Sequence, residues 1–268
     1  MRNRLTQLLA DNRGLAGRRF EVRAKPKAAD ATDGADEAEI FLYDAIVDSD
    51  LEAEWWGGVS PQAFVKELRA ITASTIHLRI NSPGGSVFAA RAIETALREH
   101  KALVIVHIDG LAASAATFVA MAGNEIRMAP GAMFMIHKAW TYAWGNANDL
   151  RVTADLLEKV DGTLVTTYAK RTGASAEQIT EWMAAETWFT AEEARDAGFV
   201  DQVTEGDVEA QASASLNWNL SAFLARVARP SASKPAPQAP APQEDPRARQ
   251  RQRLRALSLA APTPEPVP

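Results

Sequence analysis

Residues 104–123 read VIVHIDGLAASAATFVAMAG, and the rest of the chain is ordered around them. The β-branched run Val104–Ile108 has the character of a buried strand, which Asp109-Gly110 ends in a turn. The small residues Leu111-Ala112-Ala113-Ser114-Ala115-Ala116 then run into a helical pattern carried by Phe118, Val119 and Met121. Strand, glycine turn and helix put Ser114 near a helix N-terminus, where backbone N–H groups lack intrahelical acceptors and the dipole is positive. Alanines on both sides let a second backbone approach the serine oxygen. Alone, such a serine is more often the cap of a buried helix, so its companions decide.

Working outward, the same alternation recurs. Upstream, Thr75–Ile80 is a strand that runs straight into Asn81-Ser82-Pro83-Gly84-Gly85-Ser86, and a helix follows over Val87–Glu99. Ala38–Tyr43 is a first strand, Trp55–Val59 a loop, and Ser60-Pro61 the N-cap and first residue of a helix to Ile71. Downstream come short strands Glu125–Met128 and Met133–Ile136, a long helix Ala147–Arg171 stopped by Gly173, and helices Ser175–Ala184 and Ala191–Ala197. The chain order strand, helix, strand, helix with short glycine turns specifies an α/β fold with a mainly parallel sheet.

The ends read differently. Residues 1–37 are polar and rich in small residues, and are expected to be a flexible leader with a short amphipathic helix around Leu5–Leu9. The folded domain spans 38–204, and 205–228 has room for a short helix around Leu216–Val227. Residues 229–268 hold ten of the fourteen prolines and the basic cluster Arg247, Arg249, Arg251, Arg253 and Arg255, so a disordered tail is expected there.

Composition bounds the function. A 268-residue chain that is 47% hydrophobic can build a large core, and a net charge of −5 argues against general nucleic-acid binding. The absence of cysteine excludes disulfides, thiolate metal sites and cysteine nucleophiles. No apolar run reaches the length of a membrane span, and the N-terminal residues lack the apolar region of a signal peptide. A soluble cytoplasmic protein is expected, with no metal, no cofactor, and neither nucleic acid nor membrane as partner.

Hydrolysis by a serine needs a base within hydrogen-bond reach, a group to orient that base, and N–H donors aimed at the oxyanion. Four histidines are available. His77 and His107 lie inside strands, where packed histidines are the rule, and His100 ends a helix, where a cation suits the dipole. His137 ends a strand, the place where an α/β sheet presents functional side chains. Pro83-Gly84-Gly85 permits the unusual dihedrals of an oxyanion turn, although a plain tight turn has the same composition. The Walker lysine and hydroxyl are missing, as is the G-x-S-x-G elbow of α/β-hydrolases.

Taken together, four segments resemble successive signatures of the ClpP serine peptidases: INSPGGSVFAA (80–90), GLAASAATFVAMAG (110–123), MFMIHKA (133–139) and ETWFTAEEARDAGFVDQV (186–203). The resemblance covers about Ile40 to Val203. It implies a ClpP/crotonase-type spiral of βαβ units with a protruding oligomerisation helix near Ala147–Arg171. It also implies peptide-bond hydrolysis with Ser114 as nucleophile, His137 as base, and the Gly85 and Ala115 amides as oxyanion hole. Glu186 stands where the family usually has Asp, which makes it the expected third member, with Asp149 and Asp161 as fallbacks. An extended substrate would add as a strand along Gly84-Gly85. The WWGGVS loop and the Pro/Arg-rich tail look more like the ClpP-related head maturation proteases of tailed phages, which act on capsid, scaffold or portal proteins. Three other readings stand beside this one: an ATPase-partnered Clp subunit, an inactive assembly protein of the same fold, and a crotonase-like acyl-CoA enzyme.

Overall fold

The alternating apolar residues of three segments, 37–43, 75–82 and 103–113, make the centre of an eight-stranded sheet. The computed structural model describes residues 4–15, 17–25, 36–204 and 218–220, all within the unit Met1–Leu224. In chain order these form α1 (Arg4–Asp11), β1 (Arg19–Lys25), β2 (Glu37–Tyr43), α2 (Asp50–Trp56), α3 (Pro61–Ala70), β3 (Thr75–Ser82), α4 (Val87–Glu99) and β4 (Leu103–Ala113). There follow α5 (Ala115–Ala120), β5 (Glu125–Met128), β6 (Met133–Ile136), α6 (Ala147–Thr172), α7 (Ala176–Ala185), β7 (Thr187–Phe189), α8 (Ala191–Asp196) and β8 (Gln202–Val203).

Strand order is β1-β2-β3-β4-β5-β8, with β6 pairing β4 and β7 pairing β6. The pairs are parallel except β1–β2 and β6–β7. This is the mixed α/β architecture of a ClpP-type fold. Ile76, Leu78 and Ile80 of β3 and Val104, Val106 and Ile108 of β4 share one face with Ile93 and Leu97 of α4. Full burial of each such side chain contributes about 1.5–3 kcal/mol. The other face carries polar partners. Tyr43 donates to Asp109 at 2.6 Å, and Arg79 grips the same carboxylate at 2.9 and 2.7 Å. Burial pushes the Asp109 carboxyl up, and the Arg79 charge opposes that rise. His77 and His107 stand there too, their ring nitrogens 2.9 Å apart, as packed strand histidines should.

Four expectations are corrected. Residues 19–25, expected in a flexible leader, are β1, pairing antiparallel along all of β2 from Arg19↔Tyr43 to Lys25↔Glu37. Trp55 and Trp56 belong not to a loop but to α2, capped by Ser49 and closed by Gly57. The central strand does not end at Asp109-Gly110. Between Ile80↔Ile108 and Ser82↔Ala112 the offset in numbering grows from 28 to 30, so Asp109-Gly110 is part of a bulge and β4 continues to Ala113. Gly110 fits closely there, since a Cβ would come within 3.1–3.2 Å of the Asn81 side chain. Finally, Trp218–Leu220, inside the expected short helix, is not helical. The expected tail, 229–268, lies outside the described residues.

Candidate active site

Because β4 runs on to Ala113 and α5 starts at Ala115, Ser114 is the single residue that turns the chain from strand to helix. Its φ of 54° and ψ of −125° are costly for a residue with a Cβ, about 1–3 kcal/mol. Three contacts hold it there. The Ser114 N–H donates to Met135 O at 2.8 Å, continuing the β4–β6 ladder. The Thr117 hydroxyl donates to Ser114 O at 2.6 Å, and Tyr168 of α6 lies 2.8 Å from that hydroxyl. Burial pushes the Tyr168 phenol up to about 12, so it stays a neutral donor. Tyr168→Phe should therefore cost about 1 kcal/mol and lower Tm by about 2–4 °C with kcat little changed, as calorimetry beside an activity assay would show.

β6 delivers the expected base. His137 follows its last residue, is 8% exposed, and sets Nε2 2.7 Å from Ser114 Oγ. Neutral imidazole at that distance accepts the serine proton.

Glu186, the expected third member, directly precedes β7, the strand that pairs with β6. The antiparallel β6–β7 register runs Phe134↔Phe189, Met135↔Trp188, Ile136↔Thr187, so His137 and Glu186 each flank the last pair. Lys138 N–H donates to Met183 O at 3.1 Å, keeping the two chains together past the strand ends. Glu186 caps α7 in the left-handed conformation, φ 53°. Among the described residues, Ser114 and Glu186 are the two non-glycines with positive φ. The fallback acids are engaged elsewhere: Asp149 accepts Asn146 N–H in a capping box, and Asp161 accepts Ala139 N–H at 2.7 Å. Burial, partly offset by that Ala139 N–H, pushes the Asp161 carboxyl up.

The glycine turn sits against this site. A Cβ on Gly84 would lie 2.4 Å from Ala113 O and 2.8 Å from Ala115 N, so only glycine lets the turn reach the serine. Ile46 N–H donates to Gly84 O and Ser86 N–H to Ile46 O, a parallel bridge that leaves the N–H of Gly85 pointing away from Ile46. Gly84 N–H goes to Ser82 Oγ at 3.1 Å. Both backbone groups of Gly84 are thus used internally, and the edge for a substrate strand is Gly85. Ala115 is the first residue of α5, whose N–H has no intrahelical acceptor. Sequence reading missed the support of this turn: Ser86, the N-cap of α4, donates its hydroxyl to Asp48. The serine directly before the helix at Val87 was the available signal. Gly85→Ala would put a Cβ 2.0 Å from Ile46 O at φ 145° and displace the amide. It should lower kcat by about 10²–10³-fold, read by peptide hydrolysis beside a melting curve.

A cavity of about 250 Å³ opens next to Ser114, His137 and Gly85. One side of its wall is apolar, made by Val87 and Phe88 of α4 and Leu156, Leu157, Val160 and Leu164 of α6.

A strained serine bonded to a histidine, beside a glycine turn and an apolar cleft, is the arrangement of a serine hydrolase built on an α/β sheet. The family model described as Clp protease matches residues 35–207. The chain belongs to the Clp protease family. It is 35% identical over 132 residues to ATP-dependent Clp protease proteolytic subunit 2 of Corynebacterium diphtheriae, covering 48% of this chain and 66% of that protein. It is 38% identical over 133 residues to proteolytic subunit 3 of Streptomyces coelicolor, covering 48% and 61%. Against proteolytic subunit 1 of Corynebacterium jeikeium it is 35% identical over 130 residues, covering 48% and 69%. The chain thus spans about two thirds of the curated relatives it matches.

Proposed function

We propose that the protein is a serine endopeptidase that hydrolyses peptide bonds through an acyl-enzyme on Ser114. The observation that carries this reading is the 2.7 Å Ser114 Oγ–His137 Nε2 contact at a strained strand-to-helix turn. In the reaction, His137 takes the Ser114 proton as Oγ attacks the scissile carbonyl. The Gly85 and Ala115 amides hold the oxyanion, and His137 returns the proton to the leaving amine. Water then repeats the sequence to free the acid. Glu186 orients the imidazole. The apolar cleft favours a substrate with an apolar side chain before the scissile bond.

The protein acts as a homo-oligomeric ring on protein substrates, in the bacterial cytoplasm or inside a procapsid. Exposed apolar side chains support assembly: Trp144 is 86% exposed, and Phe88 and Val152 are each 67% exposed. Processing of phage capsid, scaffold or portal proteins is the favoured task, supported by the WWGGVS segment and the Pro/Arg-rich extension. The names of the relatives favour a second reading, the proteolytic subunit of an ATP-dependent Clp protease.

Fluorophosphonate labelling with peptide mapping tests the chemistry, and label on Ser114 that vanishes in Ser114→Ala and His137→Ala is expected. Absence of label from the assembled oligomer would overturn the reading. Ser114-dependent cleavage of coat or scaffold protein, set against ATP-dependent degradation with a Clp ATPase, separates the two tasks.

A further inference from the structure

Beneath the catalytic residues lies a second, smaller apolar cluster. Along β4 and β6 the residues Ala112, Phe134 and Ile136 face the main core, and their neighbours Leu111, Ala113, Met133 and Met135 face the other way. Trp188 of β7 joins them. Trp218 and Leu220, from beyond the last strand, pack onto this cluster. With them in place Met135 is fully buried and Ala113 is 1% exposed.

Polar contacts fix the tripeptide. Asn12 donates from Nδ2 to Asn219 O at 3.0 Å and accepts Asn219 N–H on Oδ1 at 2.7 Å. A side-chain amide thereby pairs with a backbone as a neighbouring strand would. Asn12 is 3% exposed and is held by a further bond to Leu8 O at 2.8 Å. The Trp218 indole N–H reaches Asn81 O at 3.3 Å, and the Arg18 guanidinium lies 5.8 Å from the Trp218 ring.

The position of the cluster matters. Ala113 precedes Ser114, Met135 O accepts the Ser114 N–H, and His137 follows two residues after Met135. We propose that this face is a peptide-docking groove occupied in cis by Trp218-Asn219-Leu220, and that the docked segment positions the strands that carry Ser114 and His137. Trp218 and Leu220 act through Met135 and Ala113 and are positioning residues. The groove reads one aromatic and one aliphatic side chain two residues apart, with the backbone between them held by Asn12.

The test uses the full chain carrying Trp218→Ala and Leu220→Ala, and a fluorescein-labelled peptide SLNWNLSAF (residues 215–223) followed by anisotropy. Saturable binding to the double variant is expected. Binding to the unsubstituted chain should be at least about tenfold weaker, because a tethered segment competes at an effective concentration near millimolar. A peptide with the tryptophan replaced by alanine should not bind. Exchange of the Ser114 amide should speed up about tenfold in the double variant and slow again when peptide is added. In turnover, kcat should fall at unchanged KM and recover with peptide.

No binding to a double variant that still melts cooperatively would overturn the groove. Binding without recovery of Ser114 amide protection would overturn the positioning role. If the double variant does not fold, Leu220→Ala alone carries the same readouts. Only the turnover arm rests on the peptidase reading. An unsubstituted chain that binds no fluorophosphonate while the peptide docks would refute the chemistry and leave the groove standing.

Discussion

Ser114→Ala is expected to lower kcat by on the order of 10⁶-fold, with substrate binding and melting temperature close to those of the parent. The size follows from what is lost. The hydroxyl at 2.7 Å from His137 is the group proposed to form the acyl-enzyme, and without it the oxyanion donors would have no intermediate to stabilise. The fold should not notice, because the contacts that hold residue 114 in its strained turn are backbone contacts: its N–H to Met135 O and its C=O from Thr117. His137→Ala should cost about as much, and the double variant little more, because the two act as one unit. Single-turnover kinetics on a chromogenic peptide, with calorimetry on each variant, checks this. A loss below about tenfold in Ser114→Ala would assign the chemistry to another nucleophile, since removal of a triad member normally costs far more.

The same residues show why sequence was enough for part of this site. Short-range patterns placed α4, β5 and β6 at their observed bounds, since each is an apolar period closed by a serine cap, a glycine or a charged turn. Position at a strand end made His137 a candidate among the four histidines, and the resemblance of MFMIHKA (133–139) to a ClpP signature gave it the role of base. What stayed hidden depends on contacts between distant segments. The run RFEVRAK becomes β1 only because β2 offers an unpaired edge. Asp109-Gly110 looks like a turn until Asn81 is known to lie against Gly110. The apolar period around Leu216–Val227 suggests a helix, yet at Trp218–Leu220 the partners on Asn12 and Met135 prevail over local propensity. Likewise the cleft wall joins α4 to residues of α6 about seventy positions away, and no local pattern predicts that meeting.

Glu186→Gln is expected to produce a smaller but still large loss, about 10⁴-fold in kcat with KM nearly unchanged. A carboxylate beside the imidazole holds the tautomer that leaves Nε2 free to accept the Ser114 proton, and it stabilises the imidazolium that forms. An amide of the same shape does neither reliably, because it can present its NH₂ to the ring. The backbone argues that residue 186 is committed to this place. It directly precedes Thr187, the residue paired with Ile136 beside His137, and it does so in a left-handed conformation that a non-glycine residue adopts at a cost of about 1–3 kcal/mol. Gln keeps the chain length and the same backbone, so calorimetry should report little change while kcat collapses. Glu186→Asp keeps the charge and shortens the reach by one methylene, and should fall between the two. Asp149→Asn and Asp161→Asn should retain kcat within a few-fold, because those carboxylates serve backbone N–H groups of Asn146 and Ala139. A Glu186→Gln enzyme with full kcat would overturn the triad and make the site a Ser114–His137 dyad, with the strain at residue 186 serving only the turn from α7 into β7.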